Sequence, residues 1–467
     1  MISKKKRALV LAVLISGLAL LASCGNQGNT GNEVDGKLID FCGQPLPYKT
    51  VYIPGHQPVL TNAEGEFSVP DVEAPYDLVV ANASFVLTEM AGMPIVVFKG
   101  LTEAEPLIAV HDRGESSNDS CATATAKVTF SSDDSGSEYA NAAALVLPPY
   151  LTSQRFSTGM SATLTLHFNP DMAGDGTLLG IQWKTDENSD ATEFTGIKSE
   201  TVKLEDGANI TKDQFELDAK GITGQKLTLS VDAPEVYRLG VINNYLTIGD
   251  VTLSTSTATI QADEADDNGN YKLVVPVADG VGSMVEVSAS YGGAVKSKSL
   301  SALGIESAKG KIYVWQKAPV GSKSMTVKFP EPLIPVAPLN GATLDPNEAV
   351  FSWTGHEGDL YDAIFLLGTN DLGFSVEVVT TDTSLQLPDL KSLGMLYDNV
   401  EYGRWGIFNI GGETSPGSID AALSEEGFNL LFPILHELPA RKDGYSSIVF
   451  AGGFTTPKAA EGDGEYH

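Results

Sequence analysis

Cysteine is scarce in this sequence, with three residues among 467, at positions 24, 42 and 121. None of them belongs to a Cys-x-x-Cys pair, the spacing that zinc ribbons and dithiol redox sites require. Histidine is also sparse: its six residues, at 56, 111, 167, 356, 436 and 467, form no His-Glu-x-x-His motif. The sequence therefore lacks the usual ligand patterns of a metalloenzyme, and we predict neither a metal site nor a cofactor.

Other catalytic motifs are missing as well. No Gly-x-Ser-x-Gly nucleophile elbow occurs. The segment GDGTLLG (Gly174–Gly180) has neither the dinucleotide-binding nor the phosphate-loop glycine spacing. A pair of carboxylates of the glycosidase type forms in space rather than in sequence, so this alternative stays open. We predict a protein that is not an enzyme and has no catalytic residues.

Basic residues are half as frequent as acidic ones, 30 against 60. No basic stripe is present to neutralise phosphates, which excludes nucleic acid as a partner. A solvated acidic surface is the simplest interpretation, and collection of Ca²⁺ is the alternative. The segment EADDNGN (Glu264–Asn270) begins like an EF-hand loop, but Val275 stands where that loop needs a glutamate. An acidic β-turn is favoured there.

Long hydrophobic runs are absent except near the N-terminus. Residues Ala8–Ala22 form a 15-residue apolar run, interrupted by Ser16 and Gly17, after the cationic cluster Lys4–Arg7. Because a membrane-spanning helix needs about 20 residues, this run indicates a secretory signal. The run ends in Leu-Ala-Ser-Cys24, which resembles the lipobox of bacterial lipoproteins. The resemblance implies a signal peptide at 1–23, a lipid anchor on Cys24 and a polar tether at 24–33; an ordinary cleaved signal is the alternative.

This interpretation places the protein in the bacterial cell envelope, anchored by lipid in the outer membrane or at the cell surface. Loss of the signal peptide would remove four basic residues, leaving 26 against 60 acidic ones and a net charge of about −34. In an oxidising compartment, Cys42 and Cys121 either form a disulfide or remain two buried thiols.

Glycine and proline are abundant, 71 of 467 residues together. With short alternating apolar runs and almost no helical periodicity, this composition indicates an all-β chain. We predict tandem β-sandwiches, immunoglobulin-like or transthyretin-like, at 34–111, 121–219, 220–329 and 330–458, with a linker at 112–120. The proline-rich segment Pro330–Pro338 is expected to hold the last two domains apart.

Two hairpins 204 residues apart share one pattern. TNAEGEF (Thr61–Phe67) and ADDNGNY (Ala265–Tyr271) both place Asn or Asp three residues before a glycine that the turn needs at φ > 0, and an aromatic two residues after it. The first hairpin belongs to a longer pattern that resembles a carboxypeptidase regulatory-like domain, a transthyretin-like sandwich. The pattern is GKLIDF, DFCGQPL, KTVYIPG, the hairpin and YDLVVAN, in this order. The region of the second hairpin repeats this pattern in the same order, with KLTLSVD, YLTIGD, the hairpin and SMVEVSASY. We therefore predict a duplicated module. A weaker copy of the turn lies between Trp183 and Phe194.

The last domain resembles a fibronectin type III domain. The motif consists of Trp353 in an early strand, TSLQLPDL (Thr383–Leu390) and the Tyr402–Trp405 pattern. Such modules imply spacing and interaction rather than catalysis. An insertion near 411–441 departs from the pattern and either covers an edge of the sandwich or forms a functional loop; the structural role is favoured.

One strand carries a candidate binding feature. In KIYVWQK (Lys311–Lys317), Tyr313 and Trp315 share one face, opposite Ile312 and Val314, and are candidate ligand-stacking residues. We predict a non-enzymatic, lipid-anchored protein whose sandwiches mediate surface binding or envelope interactions with an unknown protein or glycan. The alternative is a carbohydrate-binding lipoprotein that serves a glycan-degrading or uptake system, which requires exposed aromatics on one sandwich face.

Overall fold

The computed structural model describes residues 33–40, 42–84, 93–112, 121–131, 138–157, 161–218, 221–249, 251–292, 309–368, 373–390, 393, 400–424 and 442–457. The predicted signal peptide, Cys24 and the tether up to residue 32 lie outside these residues, as do the predicted linker residues 113–120. No helix in the described part of the chain has the length and apolar character needed to cross a bilayer.

The described chain is built of β-strands, with one short α-helix and two single-turn 3-10 helices, Pro170–Met172 and Ala262–Glu264. The strands are β1 (Val34–Ile39), β2 (Thr50–Tyr52), β3 (Val59–Leu60), β4 (Glu66–Val69), β5 (Tyr76–Ala81), β6 (Ala83–Ser84), β7 (Met93–Leu101), β8 (Leu107–Ala109), β9 (His111–Asp112), β10 (Ala122–Ser131), β11 (Tyr139–Leu147), β12 (Tyr150–Ser157), β13 (Ser161–Phe168), β14 (Gly174–Thr185), β15 (Ala191–Leu204), β16 (Ala208–Glu216), β17 (Thr223–Asp232), β18 (Arg238–Ile248), β19 (Val251–Gln261), β20 (Tyr271–Val277), β21 (Val281–Gly292), β22 (Lys309–Lys317), β23 (Ser324–Lys328), β24 (Pro335–Ala337), β25 (Ala342–Thr343), β26 (Val350–Trp353), β27 (Leu360–Gly368), β28 (Gly373–Thr380), β29 (Ser384–Gln386), β30 (Tyr402–Gly412) and β31 (Gly444–Thr455). Helix α1 is Ile419–Ala422.

These strands form four β-sandwiches, each with a three-stranded and a four-stranded sheet. Sandwich 1 has sheets β4-β1-β8 and β3-β2-β5-β7, and sandwich 2 has β13-β10-β16 and β12-β11-β14-β15. Sandwich 3 has β20-β17-β23 and β19-β18-β21-β22, and sandwich 4 has β24-β26-β29 and β28-β27-β30-β31. The predicted all-β class with several β-sandwiches is confirmed.

Sandwiches 1, 2 and 3 have the same strand order. In each, the first strand is central in the three-stranded sheet, antiparallel to the fourth strand and parallel to the last. The segments matched in the sequence occupy equivalent strands: β1 and β17, β2 and β18, β4 and β20, β5 and β21. This common strand order supports a duplicated module. It also indicates that sandwich 2 is a further copy of the same module.

The repeated hairpins use one turn chemistry. The side-chain oxygen of Asn62 accepts hydrogen bonds from the amides two and four residues further along the chain, at 3.0 and 2.8 Å. Asp266 does the same at 2.9 and 3.0 Å, and these bonds lower the pKa of its carboxyl group. Gly65 and Gly269 have φ of +76° and +75°, which L side chains rarely adopt. The acidic segment around Asp266 is therefore a β-turn stabilised by its own backbone.

The weaker copy of the turn lies at a different place in its sandwich. Asp186 accepts hydrogen bonds from the amides of Asn188 and Asp190 at 2.9 and 3.0 Å, and Ser189, with φ of +68°, occupies the glycine position. This turn joins β14 to β15, whereas the other two join the third and fourth strands of their sandwiches. The sequence similarity here reflects turn chemistry and not an equivalent position.

The four-stranded sheets of sandwiches 1, 3 and 4 join edge to edge into one continuous sheet. Strand β22 pairs antiparallel with β31, and β28 pairs parallel with β7. Sandwich 4 thus lies between sandwiches 1 and 3 and is hydrogen-bonded to both. The prediction that Pro330–Pro338 holds the last two domains apart was wrong, because their sheets share an edge.

The sandwich cores lie on both faces of this continuous sheet. In β7, Ile95 and Val97 stand opposite Val376 and Val378 of β28 and pack in the same buried cluster as them. The alternate residue Phe98 packs instead with the core of sandwich 1. In sandwich 4, we call the face of β27, β28, β30 and β31 that points away from β24-β26-β29 the outer face. The core of sandwich 1 lies on this same side of the continuous sheet.

Candidate functional site

A disulfide joins the first two sandwiches. The carboxylate of Asp40 accepts hydrogen bonds from the amides of Cys42 and Gln44, both at 2.8 Å, and shapes the turn that follows β1. Cys42 in this turn is bonded to Cys121, just before β10, with the two Cα atoms 5.5 Å apart. Of the two alternatives that the sequence left open, the structure contains the disulfide. The bond connects sandwich 1 covalently to sandwich 2.

The candidate stacking pair lies in the middle of the continuous sheet. The rings of Tyr313 and Trp315 are 6.4 Å apart and nearly parallel, with planes 17° apart. Trp315 is only 5% exposed and packs in a buried cluster with Leu360 and Ile410, while Tyr313 is half-buried. The expectation of a stacking surface formed by both rings is corrected for Trp315, because the joining of sandwiches 3 and 4 buries it.

Trp315 is held by a buried carboxylate. Its indole N–H donates to Glu286 at 2.8 Å, and the same carboxylate accepts hydrogen bonds from Asn243 at 2.9 Å and Tyr245 at 3.4 Å. Burial, and then the charge of Glu286, raise the pKa of Tyr245. Three donors satisfy this carboxylate, so the cluster fixes Trp315 and Tyr245 in place and presents no reactive group to solvent.

Two further carboxyl groups are buried on the outer face of sandwich 4. Asp362 in β27 and Glu377 in β28 are 2% and 1% exposed. Within the described part of the chain, neither carboxylate oxygen of Asp362 has a hydrogen-bond partner when the group is ionised. Burial, and secondly the neighbouring Glu377, raise the pKa of Asp362 well above its usual range. A protonated Asp362 can donate to Glu377, so we expect this pair to share a proton.

The raised pKa of Asp362 predicts a pH-dependent stability. An unfolded aspartate titrates near pH 3.9. The folded chain therefore binds more protons above that pH, and the free energy of unfolding falls as pH rises toward the folded pKa. Asp362→Asn cannot ionise, so its stability relative to the parent should rise with pH above about pH 4, by at most about 1.4 kcal/mol per pH unit.

Urea denaturation over a pH series measures this difference. The matched control is Asp279→Asn, which changes an exposed aspartate and should follow the parent at every pH. An Asp362→Asn variant that gains nothing as pH rises would contradict the buried neutral acid.

The start of the predicted insertion attaches sandwich 4 to sandwich 1. Asp420 in α1 accepts hydrogen bonds from the amides of Thr102 and Glu103 at 2.9 and 3.1 Å, and from the Thr102 hydroxyl at 2.6 Å. Ile419 and Leu423 are buried in the cluster that contains the core of sandwich 1. Residues 425–441 lie outside the described residues. The described residues 419–423 thus pack against sandwich 1, and the role of the whole insertion stays a prediction.

Two aromatic residues outside the candidate stacking pair are exposed on the outer face. Tyr402 in β30 and Phe450 in β31 are 48% and 54% exposed. Their neighbours in the alternation, Trp405 and Val449, are buried at 2% and 0%. In a strand, successive side chains point to opposite faces, so core positions at Trp405 and Val449 place Tyr402 and Phe450 on the other face. This alternation was the sequence signal that could have identified the pair.

No model of a known protein family matches the chain, and no curated protein matches it. Among solved structures, it is similar to the Bacillus anthracis TIE protein, at 9% identity and a TM-score of 0.15, over 64% of this chain and 49% of that chain. It thus spans about half the length of that protein. It is also similar to BcpA, the major pilin subunit of Bacillus cereus (9% identity, 64% and 99% of the two chains, TM-score 0.13), and to a streptococcal ancillary pilin (9% identity, 64% and 100%, TM-score 0.14). Scores of this size establish no common function.

Proposed function

We propose that this protein is a non-enzymatic, lipid-anchored component of the bacterial cell envelope that displays four β-sandwiches beyond the membrane, three of them joined in one rigid sheet. The pairing of β28 with β7 and of β22 with β31 carries the proposal. Because of these pairings, sandwiches 1, 4 and 3 share one sheet. The three sandwiches therefore cannot move as independent domains on flexible linkers. A rigid body of this kind suits display and spacing of a binding surface.

Two features support the location. Disulfides persist in oxidising compartments outside the cytoplasm, and Cys42 is bonded to Cys121. The lipobox-like sequence before Cys24 supports lipid anchoring. The three-stranded sheet facing a four-stranded sheet in each sandwich supports the carboxypeptidase regulatory-like and fibronectin type III-like assignments.

The carbohydrate-binding alternative needs exposed aromatic side chains. Trp315 does not satisfy this requirement, because it is buried and hydrogen-bonded to Glu286. Tyr402 and Phe450 do satisfy this requirement, so the outer face of sandwich 4 is the candidate carbohydrate-binding surface under this alternative.

Cell fractionation tests the anchor. With the full chain expressed in a bacterial host, we expect the parent in the membrane pellet and Cys24→Ala in the soluble extracytoplasmic fraction, because acyl chains on Cys24 supply the attachment. Mass spectrometry of the mature N-terminus should find acyl groups on the parent. The matched control, Cys42→Ala with Cys121→Ala, should stay in the pellet. A parent without acyl groups, or a Cys24→Ala variant that remains in the membrane, would overturn lipid anchoring.

A further inference from the structure

The outer face of sandwich 4 carries two aromatic rings that lie against glycine backbone. Tyr402 stands opposite Gly368, where an added Cβ would lie 2.4 Å from Cζ of the tyrosine ring. Phe450 stands opposite Gly406, where an added Cβ would lie 3.0 Å from Cδ1 of the phenylalanine ring. Each side chain is about half exposed, at 48% and 54%. One face of the Tyr402 ring therefore packs on the sheet, the Phe450 ring contacts it by an edge, and both rings have surface available to a ligand.

The same packing of an aromatic ring on glycine occurs in the sandwich cores. Phe67 covers Gly36, and Phe454 covers Gly403, with the two rings 5% and 3% exposed. There the second sheet of the sandwich covers the ring. Tyr402 uses the same local geometry over Gly368, whereas Phe450 reaches Gly406 through its Cδ1 edge. Among the described residues, no second sheet covers either ring, so their exposed surfaces are not needed for core packing.

A cation lies between the two rings. Arg404 is exposed on the same face of β30, two residues from Tyr402 and two from the glycine beneath Phe450. Lys311 is also exposed on this face, in the adjoining strand β22. The carboxyl groups on this face of β27 and β28, Asp362 and Glu377, are buried. Among the described residues of these strands, the exposed charge on this face is therefore positive, in a chain with 60 acidic and 30 basic residues.

The spacing indicates an extended ligand. At about 3.3 Å per residue, Tyr402 and Gly406 are roughly 13 Å apart along β30, and Phe450 lies one strand to the side. Leu366, opposite Arg404, adds apolar surface between the rings. We call Leu366, Tyr402, Arg404 and Phe450 the aromatic platform. Its rings are separated by a cation and do not form the contiguous apolar patch typical of a protein interface core.

We propose that the aromatic platform binds an acidic oligosaccharide. Pyranose rings present apolar C–H faces that stack on Tyr402 and Phe450. A carboxylate on a uronic or sialic acid residue pairs with the forked donors of Arg404, which suit that group better than a point charge would. The inference adds a ligand class to the display function proposed above. Its test uses purified protein, so it succeeds or fails independently of the lipid anchor.

Isothermal titration calorimetry of the purified chain tests the proposal. The probes are oligogalacturonate, hyaluronan fragments and sialyllactose, with cello-oligosaccharide and lactose as neutral counterparts. We expect at least one acidic probe to bind and the neutral probes to bind much more weakly. Tyr402→Ala and Phe450→Ala should each weaken binding about tenfold through loss of a stacking surface. Arg404→Ala should remove most of the preference for acidic over neutral probes.

Matched controls separate the platform from the general surface. Tyr48→Ala and Arg238→Ala remove an exposed tyrosine and an exposed arginine elsewhere and should leave binding unchanged. Tyr402→Phe keeps the ring and should retain binding, and circular dichroism verifies that each variant is folded. Absence of binding by every acidic probe overturns the proposal, as does unchanged binding in both aromatic variants. Equal binding of acidic and neutral probes overturns the acidic class.

Discussion

Replacing Cys42 and Cys121 together by serine is expected to lower the free energy of unfolding by about 4.5 kcal/mol. The disulfide joins residues 79 positions apart in the sequence. Closing a loop of that length restricts the unfolded chain strongly, and the restriction disappears when the bond is removed. Guanidinium denaturation, followed by far-ultraviolet circular dichroism, measures the difference between the parent and the double variant.

Reduction of the parent by dithiothreitol should produce a similar loss, because it removes the same covalent bond. Cys24→Ala is the matched control, since it removes a cysteine that takes no part in the disulfide, and it should leave the unfolding curve of the detergent-solubilised chain unchanged. If the double variant unfolds at the same denaturant concentration as the parent, the bond between sandwiches 1 and 2 does not contribute to stability.

The sequence predicted the features of the fold that depend on local chemistry. The turns at Asn62 and Asp266 were recognisable because a side-chain acceptor and a glycine at φ > 0 recur at fixed spacing. Period-two alternation predicted the all-β class. The order of matched segments predicted equivalent strands in sandwiches 1 and 3, which the topology places in equivalent positions.

Pairing between distant segments could not be predicted in the same way. Strand β7 pairs with β28, more than 250 residues away, and the apolar alternation of each strand is compatible with many partners. The candidate pair Tyr313 and Trp315 shows the consequence. Alternation placed both rings correctly on one face, but the burial of Trp315 depends on the joining of sandwich 4 to sandwich 3. Likewise, alternation puts Tyr402 and Trp405 on opposite faces of β30, but which of the two rings is exposed depends on where the second sheet of sandwich 4 packs.

Phe351→Ala is expected to lower the free energy of unfolding by about 3 to 5 kcal/mol. Phe351 is fully buried in sandwich 4, and its ring centroid lies 4.7 Å from that of Phe365, 5.3 Å from Trp405 and 5.8 Å from Phe454. Truncation removes these ring contacts and leaves a cavity that the rigid sheets cannot close. Denaturant titration measures the loss, with Phe450→Ala as the matched control because that ring is 54% exposed.

The same variant tests whether the continuous sheet unfolds as one unit. Strand β28 of sandwich 4 pairs with β7 of sandwich 1, and β31 pairs with β22 of sandwich 3. Loss of the sandwich 4 core should therefore reduce protection against hydrogen exchange in peptides from β5 and β21, although neither strand contacts Phe351 through its sheet pairing. Independent domains would lose protection only between β26 and β31. That result would contradict the rigid body, since a display function built on shared sheet edges requires the three sandwiches to hold one another in place.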